Sequence, residues 1–463
     1  VPDNPVSVRQ QTSQGSAGSS VDLLNDMVTV QGPYAGSMPE GKLSEGVLQL
    51  TLAQALKLGL RSNLGAISQS SAVQAAEGQR LVARSALMPN INIGAAEVFE
   101  KQNLRTTGLK SNLIPPATVF NFDDLRGLLH QSIVDFVSIH HLHGATEALK
   151  SSRASAKNAR DLIVLAVGGT YLQLTATRAR LDASRAQALT ARAIFQRASD
   201  RFKVGLAARL DATRAEVQME EDEQRTISLE SDLDTQMLRL ARLIGLPLGQ
   251  HFVASEVYGF HPEVTYTLET ALDRAFQHRQ DFLAAAASVK AADAGVKAAH
   301  SEYLPSVQLR ADAGIAGTAP TQTSLGVYTV QGIVTIPVYN GGRVAGDERQ
   351  AEAAQHQRKA EYEDTRAQVD QDVRTAYIQL NAANRQVTLA RHNQDLAHDT
   401  LTQSTDRFYA GVTDSVEVVQ AEQAVVQADD DLITALFEHN LAKLSLARAM
   451  GESEETLPQL LRK

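Results

Sequence analysis

The sequence predicts a mostly helical α+β protein: a transmembrane β-barrel continuous with a long α-helical coiled-coil barrel, built by internal duplication. Three observations predict it. Two halves of the chain repeat one another, prolines confine the non-helical segments to two windows, and one window alternates apolar and polar residues with period two.

The repeat comes first because every other assignment depends on it. At an offset of 216, Leu52, Ala55, Leu56, Ala75, Ala76, Ala83, Ser85 and Pro89 match Leu268, Ala271, Leu272, Ala291, Ala292, Ala299, Ser301 and Pro305. Further on the offset is 206: Tyr171, Gln173 and Leu174 match Tyr377, Gln379 and Leu380. Asp200, Arg201, Phe202 and Gly205 match Asp406, Arg407, Phe408 and Gly411. Ala215 and Glu216 match Ala421 and Glu422, and Leu238, Leu240, Arg242 and Gly245 match Leu444, Leu446, Arg448 and Gly451. An offset held over such a stretch marks a duplication.

Residues 117–246 and 338–457 contain no proline, while Pro89, Pro115, Pro116, Pro305, Pro320 and Pro337 bracket two other regions. Because proline breaks helix interiors, each half reads as a helix, a proline-bounded non-helical stretch, and two very long helices. Val369, Val373, Ala376, Tyr377, Leu380, Ala383, Val387 and Ala390 recur at steps of three and four, as do Ile163, Val167, Tyr171, Leu174 and Leu181. That is an amphipathic, coiled-coil-like stripe. Nothing interrupts it between Ala145 and Phe202, so one helix is expected to reach roughly 85 Å.

In the second window Val307, Leu309, Ala311, Ala313 and Ile315 alternate with Ser306, Gln308, Arg310, Asp312 and Gly314. This is the pattern of a barrel strand with lipid on one side and water on the other. Residues 318–324 form a polar loop, and 325–338 are β-rich with blurred alternation. In the first window Ile91 and Ile93 alternate with Asn90 and Asn92, and 133–139 are expected to be the return strand. About four strands per chain cannot enclose a channel; about twelve, from three chains, can.

The expected plan has a peripheral segment at 1–46, a helix at 47–88, a β-hairpin at 89–142 and a long helix pair at 143–246. A linker at 247–266 leads to the second helix at 267–304, the second hairpin at 305–340, the second helix pair at 341–451 and a tail at 452–463.

Composition removes other classes. At 463 residues the chain has length for two or three domains, and its 43% apolar content suits a sizeable core. A formal charge of −9 without a basic patch argues against nucleic acid as a partner. With no cysteine among these residues, disulfides, thiolate metal sites, a cysteine nucleophile and a lipid-anchored N-terminal Cys are not expected. No basic and apolar leader stands at Val1, as expected of a processed form or of a chain without such a signal. The longest apolar run, 162–167, falls far short of the ~18 residues of a membrane-spanning helix. Any membrane crossing therefore needs a closed β-barrel.

Thr51, Leu52, Ala55 and Leu56, then Leu87, Met88 and Pro89, form an opening that resembles the TolC-like outer-membrane efflux protein family. Tyr303, Leu304 and Pro305, the run from Ile336 through Pro337, Val338, Tyr339, Asn340 and Gly341 to Gly342, and the paired Arg-Phe-x-x-Gly turns carry the same likeness over roughly residues 47–455. The resemblance implies a homotrimer with a twelve-stranded barrel in outer-membrane lipid and a helical barrel crossing the periplasm. It implies two protein partners, a periplasmic adaptor and an inner-membrane transporter, and no cofactor.

The resemblance also assigns sites. Lys203, Val204, Gly205 and Leu206, with Tyr409, Ala410, Gly411 and Val412, would be the periplasmic tips where the adaptor docks. Glycine suits such turns because it accepts positive φ at a helix C-terminus. Glu417 and Gln420 match the family's acidic pore gate; Gln420 departs from the acidic pair, so the field of the ring is weaker. Asp211 matches a latch position, while Leu210 and Thr413 replace its polar and basic partners, leaving Arg209 or Asp414 as substitutes.

Simpler readings stand beside these. Gly205 and Gly411 also fit ordinary loops, Glu417 a solvated helix, and Asp211 a charge at a helix N-terminus. His140, His141 and His143 lack a carboxylate or Cys partner at ligand spacing, which argues against a metal site. Asn340, Gly341 and Gly342 are not a phosphate cradle, since no Lys-Ser/Thr follows. No catalytic constellation stands out. A passive outer-membrane exit duct for small molecules such as drugs leads; a duct for type I protein secretion, a soluble coiled-coil scaffold and an enzyme on a helical bundle remain as alternatives.

Overall fold

The computed structural model describes residues 6–8, 28–39, 43, 46–107, 115–206, 208–256, 259–261, 266–318, 324–413 and 415–454. Parts of the N-terminal segment, linker and C-terminal tail lie outside these residues, as does most of the 318–324 loop. Strands β1 (Val6–Val8), β2 (Val28–Val30) and β3 (Leu48–Leu50) precede helices α1 (Leu52–Ser62) and α2 (Leu64–Ser85). The hairpin β4 (Asn90–Asn103) and β5 (Ala117–Val134) follows, then helices α3 (Phe136–Lys203) and α4 (Arg209–Ile244). After β6 (Phe252–Ala254) the plan repeats as α5 (Leu268–His278), α6 (Gln280–Ser301), β7 (Ser306–Gly317), β8 (Leu325–Thr335), α7 (Arg343–Tyr409) and α8 (Ser415–Met450).

Two differences from the sequence reading have clear causes. The helix expected before each hairpin is two helices, broken at Asn63 and at Arg279, positions related by the 216 offset. Asn63 takes an extended backbone (φ −66°, ψ 133°). Its side chain donates to the Tyr34 carbonyl at 2.8 Å and accepts from the Gly65 N–H at 2.8 Å, replacing bonds the helix gives up. Arg279 is equally extended (φ −68°, ψ 117°), with its guanidinium 2.9 Å from Asp281 and 2.6 Å from Asp372. The return strand of the first hairpin is β5, upstream of the expected 133–139, and helix begins at Phe136. His140, His141 and His143 thus sit in the opening turns of α3.

The chain forms two compact units. One comprises residues 73–153 and 284–363 and holds an antiparallel sheet in the order β4-β5-β7-β8. Directly paired residues share a face, so register sorts the side chains. Ile91, Leu129, Ala311 and Val330 form one row; Ile93, Gly127, Ala313 and Tyr328 form the next. The opposite face carries the rows Asn90, His130, Arg310, Gln331 and Asn92, Leu128, Asp312, Thr329. On that polar face Arg126 lies between Gly94 and Gly314, reaching Asp124 at 2.6 Å and Asp312 at 3.0 Å. A Cβ at Gly314 would collide with the Leu125 carbonyl, so only glycine fits at position 314.

The other unit comprises residues 1–72, 154–283 and 364–463. Thr51 caps α1 through a capping box with Gln54, and the Thr267 hydroxyl caps α5 by accepting from the Thr270 N–H. The stripe residues Ile163, Val167, Tyr171, Leu174 and Leu181 are all buried, as are Val369, Val373, Leu380 and Val387. Tyr171 donates its hydroxyl to the Leu50 carbonyl at 2.9 Å, tying α3 to the small parallel β3–β6 pair. Helices approach closely where Cβ is absent: a side chain at Gly59 would lie 2.7 Å from Val167, and one at Gly168 2.8 Å from Leu444. Arg180 on α3 and Asp430 on α8 form an ion pair of 2.6 Å, with side chains only 6% and 7% exposed.

Candidate functional site at the coiled-coil turns

Each long helix pair is joined by a turn, and the two turns are built alike. Gly205 and Gly411 have φ of +74° and +73°. The Gly205 N–H bonds the Phe202 carbonyl at 3.0 Å and the Leu206 N–H bonds Arg201 at 2.8 Å. Gly411 and Val412 bond Phe408 at 3.1 Å and Arg407 at 3.0 Å. This is the Schellman arrangement, in which a left-handed residue lets the chain reverse while satisfying the last carbonyls. Lys203 closes α3 and Tyr409 closes α7, so the eight singled-out tip residues form these two turns. Their apolar side chains face outward: Val204, Leu206 and Val412 are 68%, 72% and 70% exposed.

The turns are tied to each other within one chain. The Arg201 guanidinium lies 5.2 Å over the Phe408 ring and donates to the Phe408 carbonyl at 3.3 Å. Arg197 stands 4.4 Å over the Tyr409 ring. Each such cation–π contact is worth about 0.5–1 kcal/mol at an exposed site. Beneath them Ile194, Ala198, Ala215, Phe408 and Val418 form a small apolar cluster.

Glu417, in the first turn of α8, is held from three sides. Thr413 donates its hydroxyl at 2.6 Å, Arg407 lies at 3.1 Å and Ser404 at 3.4 Å. Gln420 lines a groove of about 420 Å³ between α4 and α8, with Val217, Gln218, Val416, Val419 and Gln423. Asp211 lies in the first turn of α4, where a carboxylate complements the helix dipole; its N–H bonds the Ala208 carbonyl at 3.1 Å. Arg209 is the exposed first residue of α4, and Asp414 lies outside the described residues.

The sequence reading missed Arg197, Arg201 and Arg407 as linking residues. The signal was the 206 offset itself. It pairs Arg201 with Arg407, Phe202 with Phe408 and Asp211 with Glu417. The two copies have diverged in use: Phe408 is buried while Phe202 is exposed, and Arg407 pairs with a carboxylate while Arg201 covers a ring. Among the described residues no group of three or more His, Asp or Glu side chains converges as a metal site. Nor is any described helix long and apolar enough to cross a membrane.

Comparison with known proteins gives a consistent answer. The chain is 22% identical over 386 residues to the outer membrane protein TolC of Escherichia coli, covering 81% of this chain and 76% of that one. It is 21% identical over 333 residues to the alkaline protease secretion protein AprF of Pseudomonas aeruginosa, covering 71% and 69%. The fold superposes on the outer membrane protein VceC of Vibrio cholerae with a TM-score of 0.75 at 19% identity, over 86% of this chain and 96% of that one. The sequence profile described as "Outer membrane efflux protein" matches residues 67–246 and 271–452, the same two copies that the internal repeat defines. This chain therefore belongs to the outer membrane efflux protein family.

Proposed function

We propose that three copies of this chain close one barrel in the outer membrane and form the exit duct of an efflux pump. A periplasmic adaptor docks on the two turns, and an inner-membrane transporter supplies and drives the cargo. Family membership supports the duct, its outer-membrane location and the absence of catalytic chemistry. The observation that carries the assembly is the four-stranded sheet. Its apolar rows stand on one face, and among the described residues β4 and β8 each pair on one side only. An unpaired strand edge in hydrocarbon costs several kcal/mol per backbone group, so the edges must meet other copies. The strands alternate in direction, so β8 of one copy lies antiparallel to β4 of the next.

Detergent extraction, mass determination and single-channel recording test this reading. A particle of three chains of 49.9 kDa with steady conductance is the expected result. A monomer without conductance would overturn it. The name of AprF favours a second reading, a duct for protein secretion. A strain lacking the chain separates the two: sensitivity to toxic small molecules marks efflux, loss of an extracellular protein marks secretion.

The turns and the gate give further expected results. A β-branched residue in the left-handed region costs roughly 1–2 kcal/mol or more. Among the described residues nothing lies within 4 Å of a Cβ at Gly205 or Gly411, so the cost falls on the turn. Gly205→Val and Gly411→Val should keep the three-chain mass but lose capture of the adaptor; unchanged efflux would remove the turns from docking. Glu417, with Gln420 one turn on, is assigned to the pore gate. Because Arg407 holds the Glu417 carboxylate, a ring of three such pairs has little net charge. Arg407→Ala should therefore raise cation selectivity in bilayers and Glu417→Ala should lower it. Equal selectivity in both variants would remove Glu417 from the pore.

A further inference from the structure

A groove of about 470 Å³ lies between α1 and α3. One wall is a face of α1 that carries Leu56 and Leu60, one turn apart, with Lys57 and Arg61 at the rim. The other wall is Arg160 and Val164 of α3, and Glu454 completes the lining. Val164 belongs to the main apolar core, and Leu56 and Leu60 pack against that core. The floor of the groove is therefore the outer edge of the core, and covering it removes apolar surface from water.

The chain arrives at this groove from α8 along a path that three successive residues fix. Glu452 pairs with Arg274 at 3.0 Å, and Ser453 is fully buried. Glu454 then takes the Arg160 guanidinium in a fork of 3.1 and 2.8 Å. Residues 455–463, outside the described residues, continue from that fork, and Leu457, Leu460 and Leu461 give them three large apolar side chains. Three residues span at most about 10 Å, which keeps Leu457 within reach of the groove that Glu454 lines. Glu455 brings a charge complementary to the basic rim, while Arg462 and Lys463 stand farthest along the chain from it. A segment tethered at the rim meets the groove at an effective concentration on the order of millimolar, which favours it over free ligands of like chemistry.

We propose that residues 455–463 dock in this groove of their own copy, with Leu457, Leu460 and Leu461 covering Leu56, Leu60 and Val164. The segment then straps the two repeats together, because α8 closes the second repeat and α1 opens the first. The strap concerns the helical unit alone. It stands apart from the sheet edges and from what docks at the turns.

The sequence has neither cysteine nor tryptophan, so one of each can be added to the full chain without background. Gln459→Cys carries a bimane label, which tryptophan quenches only at close range, and Lys57→Trp supplies the quencher. Ala53→Trp, on the same exposed face of α1, is a second quencher. In detergent, bimane emission should fall when either tryptophan is present, relative to the label alone. It should recover when Leu457→Asp and Leu460→Asp are added. Dilution of the doubly modified chain with unmodified chains before assembly should leave the quenching intact. Emission unchanged by both tryptophans would overturn the strap, as would quenching that survives both aspartates. Quenching that dilution removes would also overturn it, and would give the groove to a neighbouring copy.

Discussion

Asp430→Ala should destabilise the helical unit by about 3–5 kcal/mol, the loss expected when one partner of a buried ion pair is removed. The Arg180 guanidinium lies 2.6 Å from Asp430, and its Nη2 also donates to the Thr434 hydroxyl at 2.8 Å. With Asp430 gone, a cation only 6% exposed loses its ion-pair partner and has little solvent to replace it. The cost comes from that stranded charge more than from the lost attraction. Arg180→Met together with Asp430→Leu should recover most of the loss, because apolar side chains of similar volume replace a buried pair at little net cost. Denaturant unfolding of the detergent-solubilised particle, followed by helical circular dichroism, checks both variants. A single variant as stable as the wild type would mean that water reaches the pair in the assembled protein.

Val330→Arg should cost about 2–4 kcal/mol of barrel stability, whereas Thr329→Arg, one residue away, should cost less than about 1 kcal/mol. The difference follows from register. Val330 stands in the row with Ala311, Leu129 and Ile91, and Thr329 in the row with Asp312, Leu128 and Asn92. An arginine in the first row faces hydrocarbon, and one in the second faces water beside a carboxylate. Assembly into outer-membrane fractions and heat resistance of the extracted particle measure the contrast. Equal losses would show that the face assignment is wrong, and a reversed order would exchange lipid for lumen.

The helical stripes were legible because each rests on a local rule applied many times. The residues spaced by three and four in α3 and α7 are the ones the structure buries. The strand β7 was legible for the same reason, with five apolar residues on one face and Ala316 the one apolar residue opposing them. Its partner β5 was not. Phe122 and Leu128 stand on its polar face, Asn121 and Asp123 on its apolar one, and the chain bulges between Ser132 and Val134. Near the barrel rim and on a lumen wall such exceptions cost little, so the alternation blurs and the return strand is read too far along, at 133–139. The breaks at Asn63 and Arg279 escaped notice because neither residue is a strong helix breaker; distant partners, Tyr34 and Asp372, make the extended backbone favourable.

By itself the sequence determined the duplication, the long amphipathic helices, the glycine turns and the need for a barrel. All of these follow from periodicity, proline placement or backbone freedom, which are properties of neighbouring residues. Only the tertiary structure decided how twin positions are used. It placed Phe408 under Arg201 while leaving Phe202 in solvent, and it closed Arg407 onto Glu417. The physical reason is that burial and charge pairing depend on which helices meet. Two copies of one sequence plan occupy different neighbourhoods, and the same residue type acquires a different free energy in each.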